Sequence, residues 1–416
     1  MADRQRRNLH VVDDQDDGTD QIIEDIMEEL NKEDHPDAVM EEKIAQRRKQ
    51  TRRRIVLAVV IVVVVVAAAL LFINLQTYST GRVSDTYPIS SAADSRYQEF
   101  QNGVLKYSSD GISFLNQRGE EQWNQSCQIK TPMLVVGEKS AVMADKGGNG
   151  ILVFTKDGLK GEFETTMPIE KVTVSEQGIV GAILKNGSTP TVICYDAAGN
   201  ILVEHKTSPS GMGYPLDVAL SSDGEVMEVT YLYVQDGEML SRVAYYNFGE
   251  AGEEVTDHQV TYREYNGSIM ASAFFLNDSV SVAAGDNCLT IFKGEDVPQE
   301  VVSIDLEKEV KSVFHSDKYI GLILKNEGEG YELRLYNSSG DEALSKDFTG
   351  EYSNVKLSED QVILYDGRSC SIFMSSGIQK FEGAMDNNIL EIFPVFGINQ
   401  YIVVDANGME RVRLVK

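Results

Sequence analysis

One phrase recurs along most of this chain, and its spacing restricts the fold more than any other feature. It is an apolar–x–apolar–aromatic run, a polar turn carrying Gly, Asn or Asp, and a further short run. It reads Ile112–Leu115, then Arg118 and Gly119, then Trp123; and again Ile151–Phe154, then Asp157 and Gly158, then Phe163. Later copies begin at Val192, Val243, Leu289, Leu333 and Ser371, with a shortened copy at Val412–Val415. Each such run is rich in β-branched and aromatic residues, as strands are. Scored from Ile112 and with Ile372 aligned through Ser371, successive copies start 39, 41, 51, 46, 44, 38 and 41 residues apart. Between copies lie two further strand candidates, as at Val172–Val174 and Ile179–Ile183. A period of about 40–50 residues holding four short strands marks a propeller blade. A parallel β-helix needs a far shorter period, and a sandwich needs none.

The expected fold is therefore all-β, a propeller of eight blades or alternatively seven, over residues 96–416. The shortened last copy lacks a fourth strand, and residues 87–90 (Tyr87–Ser90) precede the first copy as an orphan strand candidate. Joining the two completes the final blade. An open ring leaves unpaired strand edges exposed, so closure is required.

Ahead of the repeats stands an uninterrupted apolar run, Ile55–Ile73, with no charge, amide or proline. As a helix its nineteen residues reach about 28 Å, against a hydrocarbon core of about 30 Å. A basic collar of Lys43, Arg47, Arg48, Lys49, Arg52, Arg53 and Arg54 lies wholly on its N-terminal side. A cleaved signal sequence has a shorter apolar region and a short leader, whereas 54 residues precede this run. The pattern predicts a retained single span with a cytoplasmic N-terminus. The organisation follows: residues 1–54 a cytoplasmic arm, 55–73 a transmembrane helix, 74–95 a linker, and 96–416 an extracytoplasmic domain.

Within the arm, Ile22, Ile23, Ile26, Met27 and Leu30 recur at helical spacing and form one apolar stripe. This stripe is a candidate contact for a cytoplasmic partner. A second helix is expected from Asp37 through the collar into the membrane.

Charge narrows the function. The chain has 38 basic and 65 acidic residues; residues 1–54 hold 11 and 15 of these, leaving 27 against 50 beyond them, a net −23. Such a surface repels nucleic acid. All four cysteines, Cys127, Cys194, Cys288 and Cys370, lie beyond the apolar run in different repeats, without zinc-ligand spacing. Buried free thiols are expected. His205, His258 and His315 likewise fall in different repeats, so no metal site is expected, and no nucleophile-elbow, zincin or P-loop pattern occurs. The most distinctive irregular stretch is 208–215, in which Met212, Tyr214 and Pro215 form a candidate binding loop.

The strand–Asp-Gly–strand phrases resemble the quinoprotein-like and WD40-like propeller superfamily. Val104–Tyr107 with Asp110 and Gly111, Gly213–Asp217 with Ser222–Gly224, Tyr245–Phe248 and the single anchor resemble most closely the membrane-anchored envelope propellers of Gram-positive anaerobes, a family with no assigned function. A looser likeness is to the lipoprotein propeller of outer-membrane assembly, a scaffold without catalysis. The chain departs from true quinoproteins: it has one tryptophan, Trp123, where those enzymes use one per blade, and it lacks their vicinal cysteine pair. No cofactor is expected. The resemblance bears on fold rather than activity; the missing catalytic constellation and rigid blades with variable loops lead to the expectation of a non-enzymatic scaffold or binding module in the cell envelope, docking an envelope protein or wall polymer. Two other readings stay open: a transmembrane sensor acting through the Ile22–Leu30 stripe, and a glycan-acting or redox propeller enzyme.

Overall fold

The computed structural model describes residues 22, 24–27, 36–90, 92, 94–185, 187, 190–207, 211–350 and 352–416, with the side chains of 36–39, 41–43 and 70–74 outside the description. The chain divides into two units, Met1–Asn74 and Leu75–Lys416.

In the first unit a helix runs unbroken over Pro36–Asn74. Proline suits its first position, where the missing N–H has no intrahelical acceptor to lose. Ile55, Leu57, Ile61 and Val65 are each more than half exposed. Among the described residues no helix is long and apolar enough to cross a membrane; the described side chains of the apolar run extend from Ile55, directly after Arg52, Arg53 and Arg54, to Ala69. Ile22, Ile26 and Met27 are helical and exposed, whereas Ile23 and Leu30 lie outside the described residues.

The second unit consists, among the described residues, of six four-stranded sheets and one eight-stranded sheet. The first sheet runs Arg96–Phe100, Gly103–Ser108, Gly111–Asn116 and Glu121–Ser126 in spatial as in chain order. The same antiparallel meander repeats over 132–164, 169–206, 214–266, 270–305 and 310–348. Burial explains the order. The second and third strands are the most buried, as in Val180–Leu184 and Thr191–Tyr195, all of whose residues are buried. The fourth strand alternates, as in Ile201–Lys206, because one side faces water.

The recurring phrase of the sequence falls on the third strand, the following turn and the fourth strand. The turn chemistry repeats: Asp196 Oδ1 accepts the N–H groups of Ala198 and Asn200 at 2.9 Å each, and Asn116 and Asn337 do the same in their sheets. Gly199 completes the turn at φ +87°, where a β-carbon is disfavoured. The long spacing of 51 residues after Val192 arises in the fourth sheet. There the strands Val226–Gln235 and Glu238–Asn247 are longer; two short 3₁₀ turns, Glu250–Gly252 and Thr256–His258, precede the last strand and fall in the next interval, of 46 residues.

First strands of neighbouring sheets touch. Pro132–Val136 meets Ile169–Val174, which meets Tyr214–Leu220, which meets Met270–Asn277; Val310–His315 meets Asn354–Ser358; and Arg96–Phe100 meets Glu391–Pro394. The last contact joins the beginning of the unit to its end. Eight apolar clusters among the described residues lie between consecutive groups of strands. One of them joins Tyr97, Val104 and Leu115 to Phe393, Ile402 and Met409, which returns the arrangement on itself. The fold is thus all-β and propeller-like.

The eight-stranded sheet shows how the ring is fastened. Its order places Tyr78–Pro88 between Gln379–Ala384 and Gly408–Val415. Tyr78–Pro88 pairs antiparallel with Gly408–Val415, from Thr80 opposite Val415 to Pro88 opposite Gly408, and parallel with Gln379–Ala384 at Tyr78 and Thr80. The closing strand expected at 87–90 is therefore longer and lies earlier, and half of the expected 74–95 linker is paired structure. The alternation Val83-x-x-x-Tyr87 is diluted by Ser, Thr, Asp and Gly, so its strand character emerges only once a partner edge is offered.

Trp123 wedges between the first two sheets. It stacks on Phe154 at 5.3 Å and on Phe114 at 6.1 Å, and its indole donates to Lys156 O at 2.9 Å. The four cysteines are free thiols, three of them buried.

Closure can be tested at one glycine. Gly408 sits at φ +152°, and a β-carbon there would lie 2.5 Å from Tyr87 O on the closing strand. Gly408→Val should cost about 2 kcal/mol or more, and removal of 75–88 should cost much more, as open edges are left. Thermal unfolding followed by Trp123 fluorescence would show both; an unchanged melting temperature in either variant contradicts closure through this strand.

Candidate functional site

The first strands put alternate side chains toward the axis of the ring, and there they enclose a cavity of about 880 Å³. Its wall is mixed: Val218 and Phe274 line it beside polar residues such as Thr173, Ser175 and Ser222. Its charged residues come from different sheets: Lys171 and Asp217 on strands, and Glu138, Glu176, Asp317 and Glu359 from turns between first and second strands.

Lys171 Nζ lies 3.0 Å from Asp217 Oδ1, and Asp217 Oδ2 accepts the Ala273 N–H at 3.1 Å. Three successive sheets are thereby tied through one carboxylate. Burial pushes the Asp217 carboxyl above its ordinary range, and the Lys171 charge opposes this. Beside it, His315 stacks on Phe274 at 4.2 Å, nearly parallel. The imidazole is open to the cavity but walled by protein, which pushes it down to about 4; it is neutral at pH 7. Glu138 shares a hydrogen bond with Glu176, and this, with the repulsion between them, raises the Glu138 carboxyl. Glu176 also pairs with Lys139.

A second axial cluster joins the last sheets to the first. Lys356 Nζ lies 2.5 Å from Glu391 Oε1 and 3.0 Å from Glu99 Oε2, and sits 5.7 Å from the Phe393 ring centre. Ser358 Oγ donates to Glu99 at 3.0–3.1 Å. Burial pulls the Lys356 ammonium down, but Glu391 and Glu99 outweigh it and hold the group above its ordinary value. Burial raises Glu99 despite Lys356. A lysine held charged this firmly is a poor nucleophile; the cluster acts as a clasp between 354–358, 391–394 and 96–100.

The candidate loop of the sequence is tied down. Tyr214 OH donates to Glu170 Oε2 at 2.7 Å, a bond that pushes the phenol up to about 12. Pro215 is buried. Met212 Sδ receives Arg242 Nη1 at 3.4 Å, while the Arg242 guanidinium sits over the rings of Tyr233 and Tyr262 and pairs with Glu264 at 2.6 Å. Residues 208–210 lie outside the described residues. Neither Tyr214 nor Met212 lines the cavity.

The three histidines stay apart. His205 lies on the fourth strand Ile201–Lys206, His258 ends the Thr256–His258 turn, and His315 alone of the three lines the cavity. Among the described residues no three His, Cys, Asp or Glu side chains are placed to hold a metal ion.

The sequence reading missed Lys171, Asp217, Glu99 and Lys356. The signal was weak: Asp217 and Lys356 are charges flanked by apolar residues within first strands, where a charge costs free energy unless it is paired, whereas Glu99 and Lys171 have polar or charged strand neighbours.

With this geometry in place, comparison with known proteins settles the family. A family model described as DUF5711, family of unknown function, matches residues 74–414. The chain belongs to that family. No curated protein matches it. Among solved structures it is similar to BamB from Moraxella catarrhalis at 13% identity, covering 82% of this chain and 99% of that one with a TM-score of 0.49. It is similar to Sqt1 of Saccharomyces cerevisiae at 12% identity, covering 82% and 100%, with a TM-score of 0.49, and to AztD from Citrobacter koseri at 9%, covering 71% and 87%, with a TM-score of 0.48. Likeness at this level carries no functional argument for the DUF5711 chain.

One buried group near the cavity makes a pH prediction. Glu228 is fully buried opposite Ala219, a cavity-lining residue. Neither carboxyl oxygen has a hydrogen-bond partner of good geometry; the nearby Tyr245 phenol is engaged with Ser281 Oγ at 2.8 Å. Burial raises this carboxyl well above its ordinary value. A group so raised favours folding below its unfolded pKa of about 4.5 and loses that contribution as pH climbs through the folded value. Glu228→Gln should therefore raise the melting temperature more at pH 8 than at pH 4.5. Equal shifts at both pH values would show that Glu228 is not held protonated.

Proposed function

We propose that this chain is a single-pass membrane protein, N-terminus inside, that presents an eight-bladed propeller outside the cell as a non-enzymatic binding scaffold of the envelope. The observation that carries the scaffold reading is the state of the axial charges. Lys171 is bound to Asp217, and Lys356 to Glu99 and Glu391. These groups fasten neighbouring sheets, and a base or nucleophile so engaged is poorly placed for catalysis. The blade count rests on reading the eight-stranded sheet as two blades joined at the closing strand. Membrane anchoring is supported by the length of Ile55–Ile73, by the one-sided basic collar, and by a helix continuous through both. A rigid ring with varied turns at both ends suits docking of an envelope protein or a wall polymer.

Protease added to intact cells should remove the bulk of the polypeptide and spare the N-terminal arm. Survival of that bulk until the cells are lysed would reverse the topology. Crosslinking on intact cells should then recover a specific envelope component; repeated recovery of nothing beyond background would count against the scaffold.

A further inference from the structure

We infer that the axial cavity and its rim at the turns between first and second strands form a docking site for a cationic polypeptide segment, one lysine or arginine side chain of which enters the cavity. This deepens the scaffold reading and rests on it. The cavity, at about 880 Å³, is large enough for such a side chain with neighbouring backbone. Its wall mixes apolar with polar and acidic residues, so the methylene stem and the charged head of a long cationic side chain both find contacts. Its titratable groups are unbalanced: Glu138, Glu176, Asp217, Asp317 and Glu359 face two ammonium groups, Lys171, paired with Asp217, and Lys139, paired with Glu176 at the rim. His315, held neutral, adds no positive charge. A cleft of one sign with low-dielectric walls focuses its field on the opposite charge.

A separate observation points to a polypeptide rather than a small cation. Phe396 is 98% exposed, in the turn between Glu391–Pro394 and Gln400–Asp405, with Ile398 beside it at 47%. This is the same kind of turn that carries Glu138, Glu176, Asp317 and Glu359, so the phenyl ring stands at the same end of the sheets. A fully exposed aromatic at the same end of the sheets as these carboxylates offers apolar and cation–π contact to a segment lying across the rim.

The test uses the full chain in detergent micelles and a fluorescein-labelled lysine octamer, read by anisotropy. The combined variant Glu138→Gln, Glu176→Gln, Asp317→Asn and Glu359→Gln should weaken binding by about tenfold or more, and Phe396→Ser should weaken it by about threefold. A matched variant at the opposite end of the sheets, Asp236→Asn, Glu238→Gln, Glu327→Gln and Glu329→Gln, should stay within about twofold of the parent. Trp123 fluorescence melting checks that each variant folds. Absence of saturable binding overturns the inference, as does equal weakening by the two quadruple variants, which would mark bulk attraction to an acidic surface. Full displacement of the octamer by equimolar spermine, with Phe396→Ser silent, would assign the cavity to a small polyamine and overturn the polypeptide. Any of these failures leaves the envelope crosslinking result standing, since the other end of the sheets remains available for docking.

Discussion

Closure of the ring is the constraint on which the rest of this molecule depends. Each sheet buries its two faces only against neighbours, so a break at any point exposes two apolar faces and a row of unpaired backbone groups. The chain closes at three radii at once. At the periphery Tyr78–Pro88 pairs with Gly408–Val415. Between the sheets Tyr97, Val104 and Leu115 pack on Phe393, Ile402 and Met409. At the axis Lys356 holds Glu99 and Glu391. The outer fastening is directional and hydrogen-bonded, the middle one apolar, and the inner one ionic. The ionic part contributes less to stability than its short distances suggest, because burying three charges costs most of what their attraction returns. Its effect is on register: only one rotation of the last sheets against the first lets one ammonium reach both carboxylates.

The same geometry governs the cavity. Inner strands lie closest together, so charges there meet partners from other sheets rather than from their own. Asp217 binds Lys171 from one neighbour and the Ala273 N–H from the other. The Lys171–Asp217 pair holds the wall, and an excess of carboxylates collects at the turns. A rigid wall with a charged rim is a binding surface whose shape does not have to be assembled when a ligand arrives.

Much of this was legible in the sequence, for identifiable reasons. The third strands are rich in apolar residues, and three of them run into an Asn or Asp that caps its own turn, so Ile112–Asn116, Val192–Asp196 and Leu333–Asn337 announce themselves. The need for a closing strand followed from the shortened last copy. Its extent did not, because Tyr78–Pro88 is polar on the side that faces water and becomes a strand only against Gly408–Val415. Tyr214 was singled out for its glycine-rich setting, and that setting is real, but the phenol is spent on Glu170.

By itself the sequence determined the all-β repeat, its period, the acidic surface, the free thiols' separation into different sheets, and the apolar helix with its basic collar. These are local properties: strand alternation, turn chemistry and composition act within a few residues. Only the tertiary structure decided which charges meet at the axis, that Glu228 is stranded without a partner, and that Phe396 stands free on the same rim as Glu138 and Glu359. Those pairings join residues dozens to hundreds of positions apart. The rotation between successive sheets selects them, and that rotation is set by side-chain packing across all the interfaces together.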